Sequence, residues 1–291
     1  MSSLSARFTV GSVPYVNALP LVQMFEELAD QSPVRVIYDV PSNLPALLET
    51  EQVDAIMVSS YEALSRPGMR MAAGMCVGTK GRVESVRLFS KVPPKQIETL
   101  ALDQSSMTSN RLAQVILRER YKSQPMTVTL PPDPAAMLAQ ADACILIGDI
   151  GMTAAVEGLH VLDLGEEWRA MTKLPFVWAA WIGRDGLTPE LAGHLTSAME
   201  WSGCGRAPMP SKTIQERLSS DEVAHRRMKV VDEAASRPGW SREMAYRYLN
   251  ETMTYAMGEA ELKGLQEFCR RLNAAGFDEA RHFPALISPG F

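Results

Sequence analysis

Four hydroxyl side chains fall within five consecutive positions of this 291-residue chain, Ser105, Ser106, Thr108 and Ser109. An apolar run at 97–103 precedes them and the helical spacing of Leu112, Val115 and Ile116 follows, so they belong at a turn from strand to helix. The first turn of a helix has amide N–H groups with no partner inside the helix, and its partial positive charge favours an anion. Hydroxyls beside such amides make a site for a carboxylate or phosphate. The competing use of the same residues is capping, for which Ser and Thr are favoured on local grounds alone. On the residues both uses stay open.

Tyr15-Val16-Asn17 and Ser59-Ser60-Tyr61 occupy the same kind of place, past the carboxyl ends of apolar runs at 8–13 and 53–58. Asn17 offers donors and an acceptor without charge, which suits the orientation of a hydroxyl or carboxylate, although Asn is also a common turn residue. Ser85 and Ser90 lie on an alternating segment at 83–90, where either could face solvent. In Ile147-Gly148-Asp149-Ile150-Gly151, Gly148 would let backbone approach a ligand closely, and Asp149 either caps the next helix or grips a substrate hydroxyl. The segment is not GxGxxG, no GxxxxGK[ST] or HExxH occurs, and His160, His194, His225 and His282 have no ligand spacing. No metal or dinucleotide is expected. Adjacent Glu166 and Glu167 point different ways and read as a solvated loop, and Met107, Met137, Met152 and Met171 read as gap fillers.

Short apolar runs rich in β-branched residues alternate with helical periods, the pattern of βαβ units. Further strands are expected at 34–40, 126–130, 143–147, 161–164 and 176–182. Helices are expected from Ala18, at 43–50, 108–121, 134–140, after Thr188, at 211–231 and at 259–273. Lys91-Val92-Pro93-Pro94-Lys95 suits an exposed crossing. The economical arrangement is a first lobe of residues 1–92 and 181–291, including C-terminal helices, and a second lobe of 93–180. Ligands of open α/β sheets bind outside the carboxyl ends of strands, so two facing lobes define a cleft. Lys and Arg number 29 against 34 Asp and Glu, a net charge of −5 that argues against a nucleic-acid partner. Cys76, Cys144, Cys204 and Cys269 are too far apart for a zinc or CxxC pattern. Neither a secretory signal nor a membrane-spanning window is expected, so the chain reads as soluble and cytoplasmic. On residues alone it is a two-lobed binder of a small anion, with neutral polar groups in its cleft.

These segments resemble the menaquinone-biosynthesis chorismate dehydratases of the futalosine pathway. The matching stretches are Gly11-Ser12-Val13-Pro14-Tyr15-Val16-Asn17-Ala18-Leu19-Pro20, Val58-Ser59-Ser60, Ser85-Val86-Arg87-Leu88-Phe89-Ser90, Leu102-Asp103-Gln104-Ser105-Ser106-Met107-Thr108-Ser109, Leu146-Ile147-Gly148-Asp149, Asp163-Leu164-Gly165-Glu166-Glu167-Trp168 and Leu174-Pro175-Phe176. Family members commonly carry Leu or Ile near the Ala18 position and vary at Pro14, a mild departure. The resemblance implies an α/β, two-lobed, type II periplasmic-binding-protein-like (Venus flytrap) fold with a C-terminal helical segment. It implies a cytoplasmic lyase that converts chorismate, a dianion, to 3-[(1-carboxyvinyl)oxy]benzoate and water without a cofactor. Asn17 then matches the reacting centre, and Ser85 with Ser106, Met107, Thr108 and Ser109 matches the groups that hold carboxylates. Ser59, Ser105, Gly148 and Asp149 join the expected substrate contacts from the matched segments. The base is either Asp149 or the substrate's own enolpyruvyl carboxylate. Two alternatives stay open: a non-catalytic binding or sensory module, and the sister enzyme that makes dihydroxynaphthoate, which would place a histidine in the cleft. The tail after about residue 205 carries no matching motif.

Overall fold

The computed structural model describes residues 6–155, 157–204, 220–277 and 279–290. The chain first lays down β1 (Phe8–Ser12), β2 (Val34–Tyr38), β3 (Ala55–Ser59), β4 (Arg70–Ala72) and β5 (Met75–Thr79). It then builds β6 (Val86–Ser90), β7 (Thr99–Asp103), β8 (Met126–Leu130), β9 (Ala143–Ile147) and β10 (His160–Asp163) in a separate five-stranded sheet of order β10-β6-β9-β7-β8. It returns to the first sheet with β11 (Phe176–Gly183), β12 (Met253–Ala256) and β13 (Ala285–Ile287), giving eight strands with the main path β12-β5-β11-β3-β1-β2.

Within each sheet the strands that carry helical crossovers are parallel: β1 with β2 and β3, and β7 with β8 and β9. β11 lies antiparallel between β3 and β5 in the first sheet, and β6 antiparallel between β9 and β10 in the second. The chain leaves the first sheet between Thr79 and Val86 and comes back between Asp163 and Phe176, earlier at each point than residues 93 and 181. Ser90 is buried and donates to the Val92 carbonyl at 2.7 Å, which turns the chain at the end of β6 without making a domain crossing there.

Most expected elements stand at their expected places, with differences that have physical causes. The start expected at Ala18 is a 3-10 turn, Val16–Leu21, with Pro20 inside it, and regular α-helix begins only at Gln23. Thr108–Ile116 is α-helical and continues into a wider turn, Leu117–Tyr121. Glu166 and Glu167 are not in a loop: the Asp163 carboxylate accepts from the Gly165 and Glu166 amides and caps the helix Leu164–Thr172. Of the helix expected at 211–231, residues up to 219 lie outside the described ones, and the described part is Ser220–Ala235.

The C-terminal segment belongs to both lobes. Its helix Glu259–Ala274 packs Phe268 edge-on against Trp168 of the second lobe at 6.1 Å between ring centroids, and against Phe176 of β11 at 4.9 Å. Trp168 donates its indole N–H to the Pro175 carbonyl at 3.0 Å. Such aromatic contacts add to the burial of large apolar surfaces. Among the described residues, no helix is long and apolar enough to cross a membrane.

One close contact positions the functional region. A Cβ at Gly151 would sit 2.5 Å from the Ser85 carbonyl and 2.7 Å from that of Leu146, so the helix Gly148–Thr153 rests directly on β6 and β9 because residue 151 has no side chain. Gly151→Ala should therefore lower the thermal midpoint, because overpacking costs about 1–3 kcal/mol and outweighs the roughly 1 kcal/mol by which Ala is preferred to Gly in a helix. A midpoint that stays or rises on thermal denaturation would contradict this packing.

Candidate functional site

The carboxyl ends of β1 and β3 in one sheet face those of β7 and β9 in the other across a cavity with about 100 Å³ of space open to water-sized groups. One water needs roughly 15 Å³ on such a measure, so the cavity takes a small organic molecule in place of several waters. Its polar walls are Tyr15, Asn17, Ser59, Ser85, Ser105, Ser106, Thr108 and Ser109. Val13, Met57, Val83, Ile147, Trp178 and Met253 are among its apolar ones. Among the described residues, no Asp, Glu, Lys, Arg or His lines it.

The helix Thr108–Ile116 begins with Met107 in the cap position, and no side chain caps it. The first-turn amides beside the cavity are therefore not claimed by a local hydroxyl, and the simple capping use of these Ser and Thr residues is not realised. The buried Thr108 hydroxyl turns instead to the other lobe, where it accepts from the Tyr61 amide at 3.0 Å and is hydrogen-bonded to the Ser59 hydroxyl. Tyr61 lies in the first turn of the helix Ser60–Ser65, so Thr108 caps that helix from across the cleft. Ser60 completes the seam by donating to the Val177 carbonyl of β11 at 2.7 Å.

Ser105 donates both its amide, at 2.8 Å, and its hydroxyl, at 2.6 Å, to the buried Asp103 carboxylate. Burial pushes that carboxyl up from the usual range, against the pull of the two Ser105 bonds. Ser105 is thereby tied to its own loop. Ser106 and Ser109 are buried against the cavity, and their hydroxyls make no hydrogen bond to another described residue. They are the hydroxyls left to a ligand.

On the facing wall, Ser85 is only 3% exposed, and its hydroxyl lies 2.8 Å from that of Tyr248. The Asn17 side chain lies close enough to the same phenol to help lower its pKa. Burial pushes the Tyr248 phenol up to about 12, with Ser85 and Asn17 pulling the other way. Tyr248 begins the wide turn Tyr248–Thr252 between the helix Arg242–Arg247 and β12, in the tail that has no recognisable motif. Only the aromatic pair Trp240 and Tyr248 in an otherwise polar helical stretch could have flagged it from sequence.

Gly148 lines the cavity with φ of +61°, the left-handed region that lets the chain turn from β9 into the next helix. A Cβ there would meet nothing within 4 Å, so the glycine serves the turn and not a close approach in this state. Met107 is 37% exposed at the mouth and is a lining residue, whereas Met137 fills the core. Asp149 is exposed and outside the lining, and its carboxylate accepts from the Trp240 indole at 2.9 Å. Of the ten expected site residues the cavity thus brings together nine, Asn17, Ser59, Ser85, Ser105, Ser106, Met107, Thr108, Ser109 and Gly148, and leaves Asp149 at the rim. A buried carboxyl that the sequence did not flag, Glu62, opens on a small recess beside the cavity and is ion-paired with Arg66.

A sequence profile described as menaquinone biosynthesis matches residues 8–274. A chorismate dehydratase of Thermus thermophilus is 26% identical over 288 residues, covering 91% of this chain and 95% of the relative. Among solved structures, a protein of Archaeoglobus fulgidus superposes with a TM-score of 0.66 at 22% identity, over 94% of this chain and 99% of that one. The periplasmic aliphatic sulphonate binding protein of Escherichia coli superposes with a TM-score of 0.61 at 12% identity, over 99% and 95%. The fold is that of the periplasmic binding proteins.

The two groups of hydroxyls separate on stability. Thr108→Val leaves the buried Tyr61 amide without its acceptor, which costs about 1–3 kcal/mol, so its thermal midpoint should fall. Ser106→Ala removes no protein hydrogen bond and should stay within about 0.5 kcal/mol of the parent. Equal midpoints for the two variants in calorimetry would contradict the division.

Proposed function

The chain belongs to the menaquinone-biosynthesis family, and we propose that within it the protein is a lyase, a chorismate dehydratase that forms 3-[(1-carboxyvinyl)oxy]benzoate and water. The observation that carries this reading is the lining: a cavity for a small molecule, bounded by neutral donors and an uncapped helix start, with no formally charged side chain. Chorismate brings two carboxylates, a ring hydroxyl and an enolpyruvyl ether. Its anionic groups fit the amides at the start of the helix Thr108–Ile116 and the unengaged hydroxyls of Ser106 and Ser109. The pathway position as the first futalosine step and a cytoplasmic site of action go with this reading.

Loss of the C4 hydroxyl and the C3 proton makes the ring aromatic. The C3–H electron pair becomes the new ring double bond, and the C4 oxygen leaves with the proton as water. The protein's share is to hold the reacting groups in line and to stabilise charge as it develops. Asn17 holds those groups on the first-lobe wall, with Ser85 next to it on the same phenol. Ser59, Ser105, Met107, Thr108 and Gly148 complete the walls that shape the ligand's pose. The proton passes first to the substrate's own enolpyruvyl carboxylate, since a well-placed internal group acts at an effective molarity of about 10⁵ M or more, and from there to the departing C4 hydroxyl. Asp149 is the less suitable base because Trp240 occupies its carboxylate outside the cavity lining. The sister dihydroxynaphthoate reaction is not favoured, because no histidine lines the cavity.

Incubation with chorismate, followed by the absorption of the aromatic product, tests the reading. Tight binding without product would make the protein a non-catalytic module. Asn17→Ala should lose most turnover while still binding chorismate in calorimetry, and Asp149→Asn should keep a measurable fraction. Turnover abolished in Asp149→Asn at unchanged affinity would instead make that carboxylate the base. Ser106→Ala removes a donor to an ionised acceptor, about 1.5–3 kcal/mol, and should weaken binding roughly ten- to a hundredfold. Unchanged affinity in that variant would remove Ser106 from the anion site.

A further inference from the structure

Asn17 sits on a short 3-10 turn whose start has no side-chain cap, and nothing in that turn itself fixes which end of its amide faces the cavity. The group that meets it, Tyr248, comes from 231 residues downstream. Tyr248 is 2% exposed and absent from the cavity lining, so it stands behind the wall. Its hydroxyl lies 2.8 Å from Ser85 Oγ, and the Asn17 amide stands beside the same phenol. The ring is itself held: it packs on Trp240 at 5.3 Å between centroids, and Trp240 is anchored through its indole N–H to Asp149 of the second lobe at 2.9 Å. Tyr248 also opens a wide helical turn, a local irregularity that recurs at functional sites.

We infer that Tyr248 is a positioning residue, which orients Asn17 and Ser85 together by setting the direction of a three-member hydrogen-bond chain in the cavity wall. A phenol has one proton and accepts through its lone pairs. When it donates to one partner and accepts from the other, the amide end and the hydroxyl proton that face the ligand are chosen together. The inference rests on the assignment of Asn17 to the reacting centre.

Tyr248→Phe keeps the ring on Trp240 and removes only the hydroxyl. With chorismate as substrate, kcat should fall about ten- to a hundredfold with KM within about threefold, as for a reacting group displaced by a fraction of an ångström. In an Asn17→Ala background, followed with enzyme in excess, the same change should cost no more than about twofold, because residues acting as one unit are not additive. Unchanged kcat, or the same loss in both backgrounds, would overturn the inference, and a purely structural role would lower the thermal midpoint without this dependence on background. If the unmodified protein does not turn over chorismate, the functional reading fails separately, and solvent exchange of the Asn17 side-chain amide protons decides the inference by NMR. Exchange at least about tenfold faster in Tyr248→Phe is the expected result once its hydrogen bond is lost. Equal exchange would overturn the inference.

Discussion

The cavity exists only because the second lobe is held against the first, and the buried Thr108 hydroxyl is where the two meet. It replaces the missing local cap of the helix Ser60–Ser65 and binds Ser59 at the end of β3, so one side chain of the second lobe satisfies two groups of the first. A hydroxyl suits this seam because it can accept from an amide and still share a hydrogen with a second hydroxyl. A charged residue there would need a partner inside a buried interface, where desolvation opposes it. Around the seam the C-terminal segment adds further ties. Phe268 packs on Trp168 of the second lobe, Trp240 reaches Asp149, and Arg111 of the second lobe pairs with Glu279 at 3.3 Å.

That support permits a cavity wall without cations. A dianion bound between lysines and arginines would be gripped by charge whatever its pose. On the proposed reading the attraction comes instead from oriented amides and hydroxyls, whose strength depends on direction. Dipoles already pointing at the positions where charge develops need no reorganisation during reaction. Among the described residues the same wall offers the ligand no carboxylate, histidine or lysine as a base, which fits the proposed dehydration that draws its base from the substrate and its driving force from aromaticity.

Much of this was legible in the residues. The short apolar or β-branched runs of β1, β2, β7, β8 and β9 and the hydroxyl cluster at 105–109 announce strands ending at a polar cleft, and nine of the ten expected residues do line one cavity. The strand Met75–Thr79 was not legible, because Met, Cys and Gly carry little β preference and its place is set by pairing with β11 and β12. The use of Thr108 as a cap for a distant helix is also invisible locally, since the same residue type in the same place reads as a cap for its own helix. Tyr248 was missed for a deeper reason. A single tyrosine in a polar tail has no spacing to betray it, and it gains meaning only when long-range packing brings it behind Asn17 and Ser85.

The central claim is that neutral groups run this chemistry. The pH dependence of kcat with chorismate tests it most directly. Burial pushes the Tyr248 phenol up to about 12, and no histidine, lysine or carboxyl side chain among the described residues lines the cavity, so kcat should stay flat between about pH 6 and pH 9. A limb with an apparent pKa near 7, from a group such as a raised carboxyl or a histidine, would mean that a protein acid or base takes part in the step and would contradict the account.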